Sequence, residues 1–356
     1  MKVTLAVSSL VKVALLLPAL ISGVVGAPQP RGTCTNPIVR KEWRNLSNPE
    51  KSAYLNAVKC LQSKPAITPT SVAPGVVSRF EDLIVTHIQQ TFSIHFVGHF
   101  LPWHRYMVAV YEKALRDECG LTTAHPYWDW TLDADTPTSF IQSPVFDSTY
   151  GFGGNGPYVA SPPGSPPGFE VPGRTGGGCV ADGPFSTMVV RMGPADDMSG
   201  NPRCLHRDFS PAFASQFLNA AITADTISKS DYGHFMRAVE GETNFEHSGI
   251  HGGGHYGVGG TLGEIGDLYN SPSDPLFYMH HANLDRVWWS WQKKNLAARL
   301  TDISGPINIL DYDNALGGNV TLSFPLSMGL NGPDVTIEDV MDIRGDTLCY
   351  DYHEVY

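Results

Sequence analysis

Six histidines in this chain fall into two groups of three: His87, His95 and His104, then His247, His251 and His281. No Asp, Glu or Cys stands at ligand spacing beside them. Neutral imidazole suits zinc, copper, iron and nickel, whereas calcium and magnesium want oxygen donors. Two all-imidazole sites therefore fit a pair of copper ions best, and binding of O2 between the two metals is the chemistry that follows. The spacing His247-Ser-Gly-Ile-His251 would set two imidazoles one above the other on a helix face. A zinc peptidase would carry Glu as general base directly after the first of such a pair. Ser248 stands there instead, which disfavours hydrolysis. Geometry alone leaves other ligand sets open, because His99 and His255 each follow one of the six by four residues and His280 adjoins His281. His125, His206, His234 and His353 are isolated and read as ordinary hydrogen-bonded or surface residues.

Helices must bring these residues together. Ser47-Asn-Pro-Glu50 has the form of a helix start, with Pro in the first turn and Glu three residues after Ser. Tyr54, Val58 and Leu61 then form a buried stripe. A second helix is predicted from Pro74 to Phe92, with His87 on the same inward face as Phe80, Leu83 and Ile84. A third runs from Pro102 to Cys119 and is stopped by Gly120. Further helices are predicted over Pro211 to Ala221, Tyr232 to Glu240 and Pro275 to Leu296, and short strands between Asn319 and Tyr352. The Gly- and Pro-rich stretch from Gly151 to Gly178 would ordinarily read as a linker. The two histidine groups lie on either side of it and must meet, so it is taken as a surface excursion inside one domain, residues 28–356. The fold class is mainly α, with long loops and a few short strands.

The first 27 residues read as a secretory signal peptide: Met1-Lys2, an apolar run from Val3 to Leu20, then the small residues Val25-Gly26-Ala27. Six cysteines in an exported chain imply up to three disulfides, with the pairing open. Asn45-Leu-Ser47 and Asn319-Val-Thr321 are possible glycan acceptors. A net charge of -11 without a Lys/Arg cluster argues against nucleic acid or an anionic membrane as partner. Oligomeric state is left open, and a monomer suffices.

The run Asp274-Pro-Leu-Phe-Tyr-Met-His280-His281-Ala-Asn-Leu-Asp285-Arg286-Val-Trp288 resembles the second copper signature of the tyrosinase family. Phe100-Leu-Pro-Trp-His104-Arg105, preceded by His95 and His87, resembles the end of the first. The likeness extends to Arg40-Lys-Glu-Trp-Arg44, Pro126-Tyr-Trp-Asp-Trp130 and Tyr350-Asp-Tyr352, so it spans nearly all of the exported chain. The family comprises tyrosinases, catechol oxidases and molluscan oxygen carriers. The resemblance implies a four-helix bundle holding two coppers, the first on His87, His95 and His104 and the second on His247, His251 and His281. Its pattern selects His281 over His280 and has no place for His99 or His255.

That resemblance implies oxidation of o-diphenols to o-quinones, with o-aminophenols as a further substrate class and O2 as co-substrate reduced to water. The alternative within the family is a non-catalytic oxygen-binding protein of the haemocyanin type. Hydroxylation of monophenols demands more of the site. Family members often place an Asn after the first histidine of the second triplet, paired with an upstream Glu that orders a water. Here those places fall on Ser248 and Glu242. Leu268 stands thirteen residues before His281, where plant catechol oxidases carry a gating Phe, and would leave access moderately open. Ser93 replaces the Cys that many fungal relatives crosslink to the second histidine, so His95 is expected to be held by packing alone. Asp285 is expected to hydrogen-bond His281, the other choice being an ion pair with Arg286. The chain ends soon after Tyr352, so no C-terminal lid domain is expected, as in short secreted fungal-type members.

Overall fold

The computed structural model describes residues 34–162 and 170–356; the expected leader, 1–27, lies outside the described residues. After a short strand β1 (Ile38–Arg40), α1 (Asn48–Ser63) starts where its sequence dictates. The Ser47 hydroxyl accepts from the Glu50 N–H, and the Glu50 carboxylate accepts from the Ser47 N–H. α2 (Arg79–Ile94) begins five residues later than predicted, because the Glu81 carboxylate takes the N–H groups of Val77 and Ser78 and caps the helix there. α3 (Phe100–Cys119) carries Pro102 in its first turn, where a missing N–H costs nothing, and closes on left-handed Gly120.

The middle of the chain holds α4 (Pro137–Ile141), β2 (Val189–Val190), β3 (Arg203–Cys204), α5 (Pro211–Phe217), α6 (Ala220–Ile227) and α7 (Tyr232–Glu240). The single helix expected over 211–221 is broken in two, because the Asn219 side chain accepts from the Ile222 N–H and starts a new helix. There follow α8 (Ile250–Gly259), α9 (Leu276–Lys293), α10 (Leu296–Arg299), β4 (Pro325–Leu326), β5 (Val335–Thr336), α11 (Ile337–Met341) and β6 (Tyr350–Tyr352). β1 pairs parallel with β6, β2 antiparallel with β3 and β4 antiparallel with β5. The architecture is mainly helical, as expected, and α2, α3, α8 and α9 carry the histidines at its centre.

Disulfides Cys34–Cys349, Cys60–Cys119 and Cys179–Cys204 resolve the open pairing. The first fastens the β1 end of the chain to the β6 end. Beneath that clasp Asp285 accepts from Arg40, Arg105 and the hydroxyls of Tyr350 and Tyr352. Asp285 therefore bonds neither His281 nor Arg286, contrary to expectation. It faces α3 and the terminal strands, while Arg286 pairs with Asp129 at 2.9 Å. The described part of the Gly-rich excursion is pinned inward. Fully buried Arg207 donates to Asp274 and to the carbonyls of Phe152 and Gly153, and Arg174 is paired with Asp208.

Candidate dinuclear metal centre

α2 and α3 cross so that His87, His95 and His104 converge, with a ring nitrogen of each within 4.8 Å of the others. His87 lies on the buried face of α2, His95 is the residue that ends it, and His104 sits in the second turn of α3. Each ring is fixed from behind by a backbone carbonyl, which must accept from Nδ1–H. The acceptors are Tyr269 O for His87 at 2.8 Å, Thr91 O for His95 at 2.8 Å and Phe100 O for His104 at 2.9 Å. This fixes the tautomer and turns Nε2 toward the centre of the group. His95 is thus held by a hydrogen bond as well as by packing against Phe100. Ser93 points away and bonds the Gln90 carbonyl.

The second group is His251, His255 and His281, not the set containing His247. The expected helical pairing of His247 with His251 fails because Gly249 is extended and α8 starts only at Ile250. His247 is left in the preceding turn with 65% of its side chain exposed, beside Glu242. His251 and His255 are the true one-turn pair. Between them Gly252, Gly253 and Gly254 let α8 approach its neighbours. A Cβ on Gly254 would lie 2.2 Å from the His280 ring, and one on Gly253 2.9 Å from Leu218 and Phe217. His280 packs beside the site on Trp130 and donates to the His251 carbonyl, while His99 packs on Phe324.

Three observations show that these residues fit metal ions. Nε2 of His87, His104 and His251 is buried with no hydrogen-bond partner. Nε2 of His255 and of His281 face each other at 3.1 Å. Burial, and then the neighbouring imidazoles, hold His87, His104, His251 and His281 well below the ordinary histidine range, and burial brings His95 and His255 to about 4. All six are therefore neutral ligands at physiological pH. The two groups also face one another: His104 stacks on His281 at 4.5 Å and His95 on His251 at 5.8 Å between ring centroids.

A cavity of about 180 Å3 opens onto this centre, bordered by His95, His251 and His255. Leu268 and Ser248 both border it. Ser248 does so from a different place. With His251 as first ligand of the second group, the position after it is Gly252, one turn beyond Ser248. A Cβ on Gly252 would fall 2.0 Å from Ser248 Oγ, so the serine hydroxyl occupies the space a side chain there would need.

Glu242 is corrected in the same way. It sits at the rim, 66% of its side chain exposed, bonded to Asn244 and near His247. The buried carboxyl in the cavity wall is Glu240, only 2% exposed. Its Oε1 accepts from the Phe96 N–H at 2.7 Å, Oε2 is buried without a partner, and burial raises its pKa well above the carboxylate range. That bond and one from the Leu310 N–H to the Phe96 carbonyl hold Phe96, directly after ligand His95, at a left-handed φ of 53°. Such a conformation in a non-glycine residue costs on the order of 1–3 kcal/mol and persists only under constraint. The signal for Glu240 was its register: it follows buried Met236 by four residues on the inward face of α7.

Comparison with known proteins agrees with this geometry. Residues 77–294 match the common central domain of tyrosinase. The chain is 38% identical to an N-acetyl-6-hydroxytryptophan oxidase of Emericella nidulans, over 89% of this chain and 92% of that protein. It is 32% identical to tyrosinase P of Aspergillus terreus, over 91% of this chain and 94% of the other. Among solved structures, a mutant polyphenol oxidase from Thermothelomyces thermophila superposes with a TM-score of 0.78 at 41% identity, covering 89% of each chain.

Proposed function

This chain belongs to the tyrosinase family of oxidases, and from that premise we propose that it oxidises o-diphenols to o-quinones at a dinuclear copper site, with O2 reduced to water. o-Aminophenols are the second substrate class. The observation that carries this reading is the meeting of two three-imidazole groups at the floor of a single open cavity. Bound copper would supply the electron exchange, two electrons from each of two diphenols reducing one O2 to two waters.

The protein's own groups do the rest. Six neutral imidazoles would hold the metals without adding charge, and the backbone carbonyls behind four of them keep Nε2 aimed inward. A phenol ring entering the cavity meets His95, His251 and Leu268, which border it and set the angle of approach. Burial favours the protonated form of Glu240, and its unpartnered Oε2 lies in the cavity wall. No side chain at Gly252 helps to hold a water there, which favours oxidation of diphenols over hydroxylation of monophenols. Among the described residues no helix is long and apolar enough to cross a membrane. Export is supported by the apolar start of the chain and by three disulfides, which persist in oxidising compartments. Asn45 and Asn319 are both exposed and suit glycan attachment.

The test is oxygen uptake by the copper-loaded protein with 4-methylcatechol. Quinone absorbance with matching O2 consumption is expected. A stable oxygenated form without turnover would instead make the chain an oxygen carrier.

A further inference from the structure

One short stretch reaches both metal groups. Between α8 and α9, residues 264–270 pass behind the site, and two of their carbonyls fix a ligand of each group. Ile265 O accepts from His255 Nδ1 at 2.6 Å, and Tyr269 O from His87 Nδ1 at 2.8 Å. The other tethered ligands, His95 and His104, use carbonyls four residues earlier in their own segments. The direction of one imidazole on each side of the centre is thus set by a single piece of backbone.

Side chains fix the bend of that piece. The Glu264 carboxylate, buried at its start, is gripped by Arg203 through two bonds, Nε to Oε1 at 2.8 Å and Nη2 to Oε2 at 2.5 Å. Asn270, at its far end and fully buried, donates to Glu264 Oε2 at 2.9 Å and accepts from Ser273. The two ends are thereby clamped together, with Ile265 and Tyr269 between them. Asp267 tightens the apex by accepting from the N–H groups of Tyr269, Asn270 and Ala195. The clamp is anchored outside the helices. The Glu264 N–H bonds the His206 carbonyl, and Arg203 adjoins Cys204 of the Cys179–Cys204 disulfide. Neither Glu264 nor Arg203 lines the cavity or belongs to either histidine group.

We propose that Glu264, held by Arg203 and Asn270, is a positioning residue for both metals at once, so that the affinities of the two sites rise and fall together. The proposal rests on the reading of the six-histidine centre as a copper site. It is tested by Cu(I) competition against a colorimetric chelator, at a temperature where circular dichroism shows each metal-free protein folded. The unmodified protein should take up two coppers. Glu264→Gln and Arg203→Gln should each weaken both equivalents by about 10- to 100-fold, the usual cost of losing an outer hydrogen-bond partner of a metal ligand. Arg203→Lys, which keeps the charge but not the two-pronged grip, should fall between. Should Glu264→Gln not fold, Arg203→Gln at the margin of the clamp decides the matter. Unchanged affinity in a folded variant, or weakening of one equivalent alone, overturns the proposal. Failure of the unmodified protein to bind copper overturns the functional reading itself and this inference with it.

Discussion

The two histidine groups offer the same donor set with different degrees of constraint. In the first, all three rings are tethered through Nδ1 to carbonyls, and two of those carbonyls lie in the ligands' own helical segments. In the second, among the described residues, only His255 is tethered in this way, and Nδ1 of His281 is buried without a partner. The first group stands on α2 and α3, long amphipathic helices with caps written into their sequences; the second depends on α8, half of whose ten residues are glycine. Constraint at the first site comes from local sequence, and at the second from neighbours that glycine allows to come close.

The sharpest way to break this comparison is to delete ligands. Replacing His255 by Ala should halve copper content and lower quinone formation beyond the ~100-fold typical of outer-partner losses, while His247→Ala should leave both nearly unchanged. If metal analysis finds His247 essential and His255 dispensable, the second site has been drawn on the wrong residues.

Acid should remove the distinction between the groups. The folded-state pKa of His95, in the first, and of His255, in the second, lies near 4 against an ordinary 6.5. Because these pKa values are depressed, protonation favours the unfolded chain. The stability that neutral rings contribute is complete above about 6.5 and lost as pH falls toward 4. The metal-free protein should therefore unfold across that window, and copper should move the transition to lower pH. Acid titration followed by circular dichroism, with and without copper, measures this. An unfolding midpoint that copper leaves in place would argue that the rings are not the ligands.

A smaller effect is expected at Gly252. Gly252→Asn combined with Ser248→Ala, which clears the space now filled by Oγ, should raise monophenol hydroxylation relative to diphenol oxidation. Gly252→Asn alone should do less, since it must first displace the serine hydroxyl. The paired rates of O2 uptake with a monophenol and its diphenol decide it; a ratio unmoved by the double variant removes Gly252 from the account. The smallest change belongs to the rim. Glu242 is exposed there, and among the described residues the cavity is bordered by no Lys or Arg. Dopamine should therefore show a lower KM than 3,4-dihydroxyphenylacetate, and Glu242→Gln should shrink that preference by about twofold to fivefold, the reach of an exposed charge pair.

What was legible in the sequence follows the same division. Capping residues and period 3.6 placed α1, α3 and α7 closely, and the inward face of α2 put His87 where it belongs. The His247 assignment failed because a one-turn spacing means nothing until a helix is known to cover it, and Gly249 keeps that turn extended. Three consecutive glycines argue against a helix locally, yet they are what permits α8 to pack on His280 and Leu218. Glu242 and Glu240 differ by two residues and by nearly complete burial, a distinction that depends on where α7 ends. Disulfide pairing was unreadable because each bond joins segments that only the tertiary fold brings together.

The five glycines of α8 bear on the order in which the centre assembles. Each costs a helix interior about 1 kcal/mol relative to alanine, so this segment has little tendency to wind before α5 and α9 are in place around it. The His251–His255 pair therefore takes shape only together with those tertiary contacts, not ahead of them.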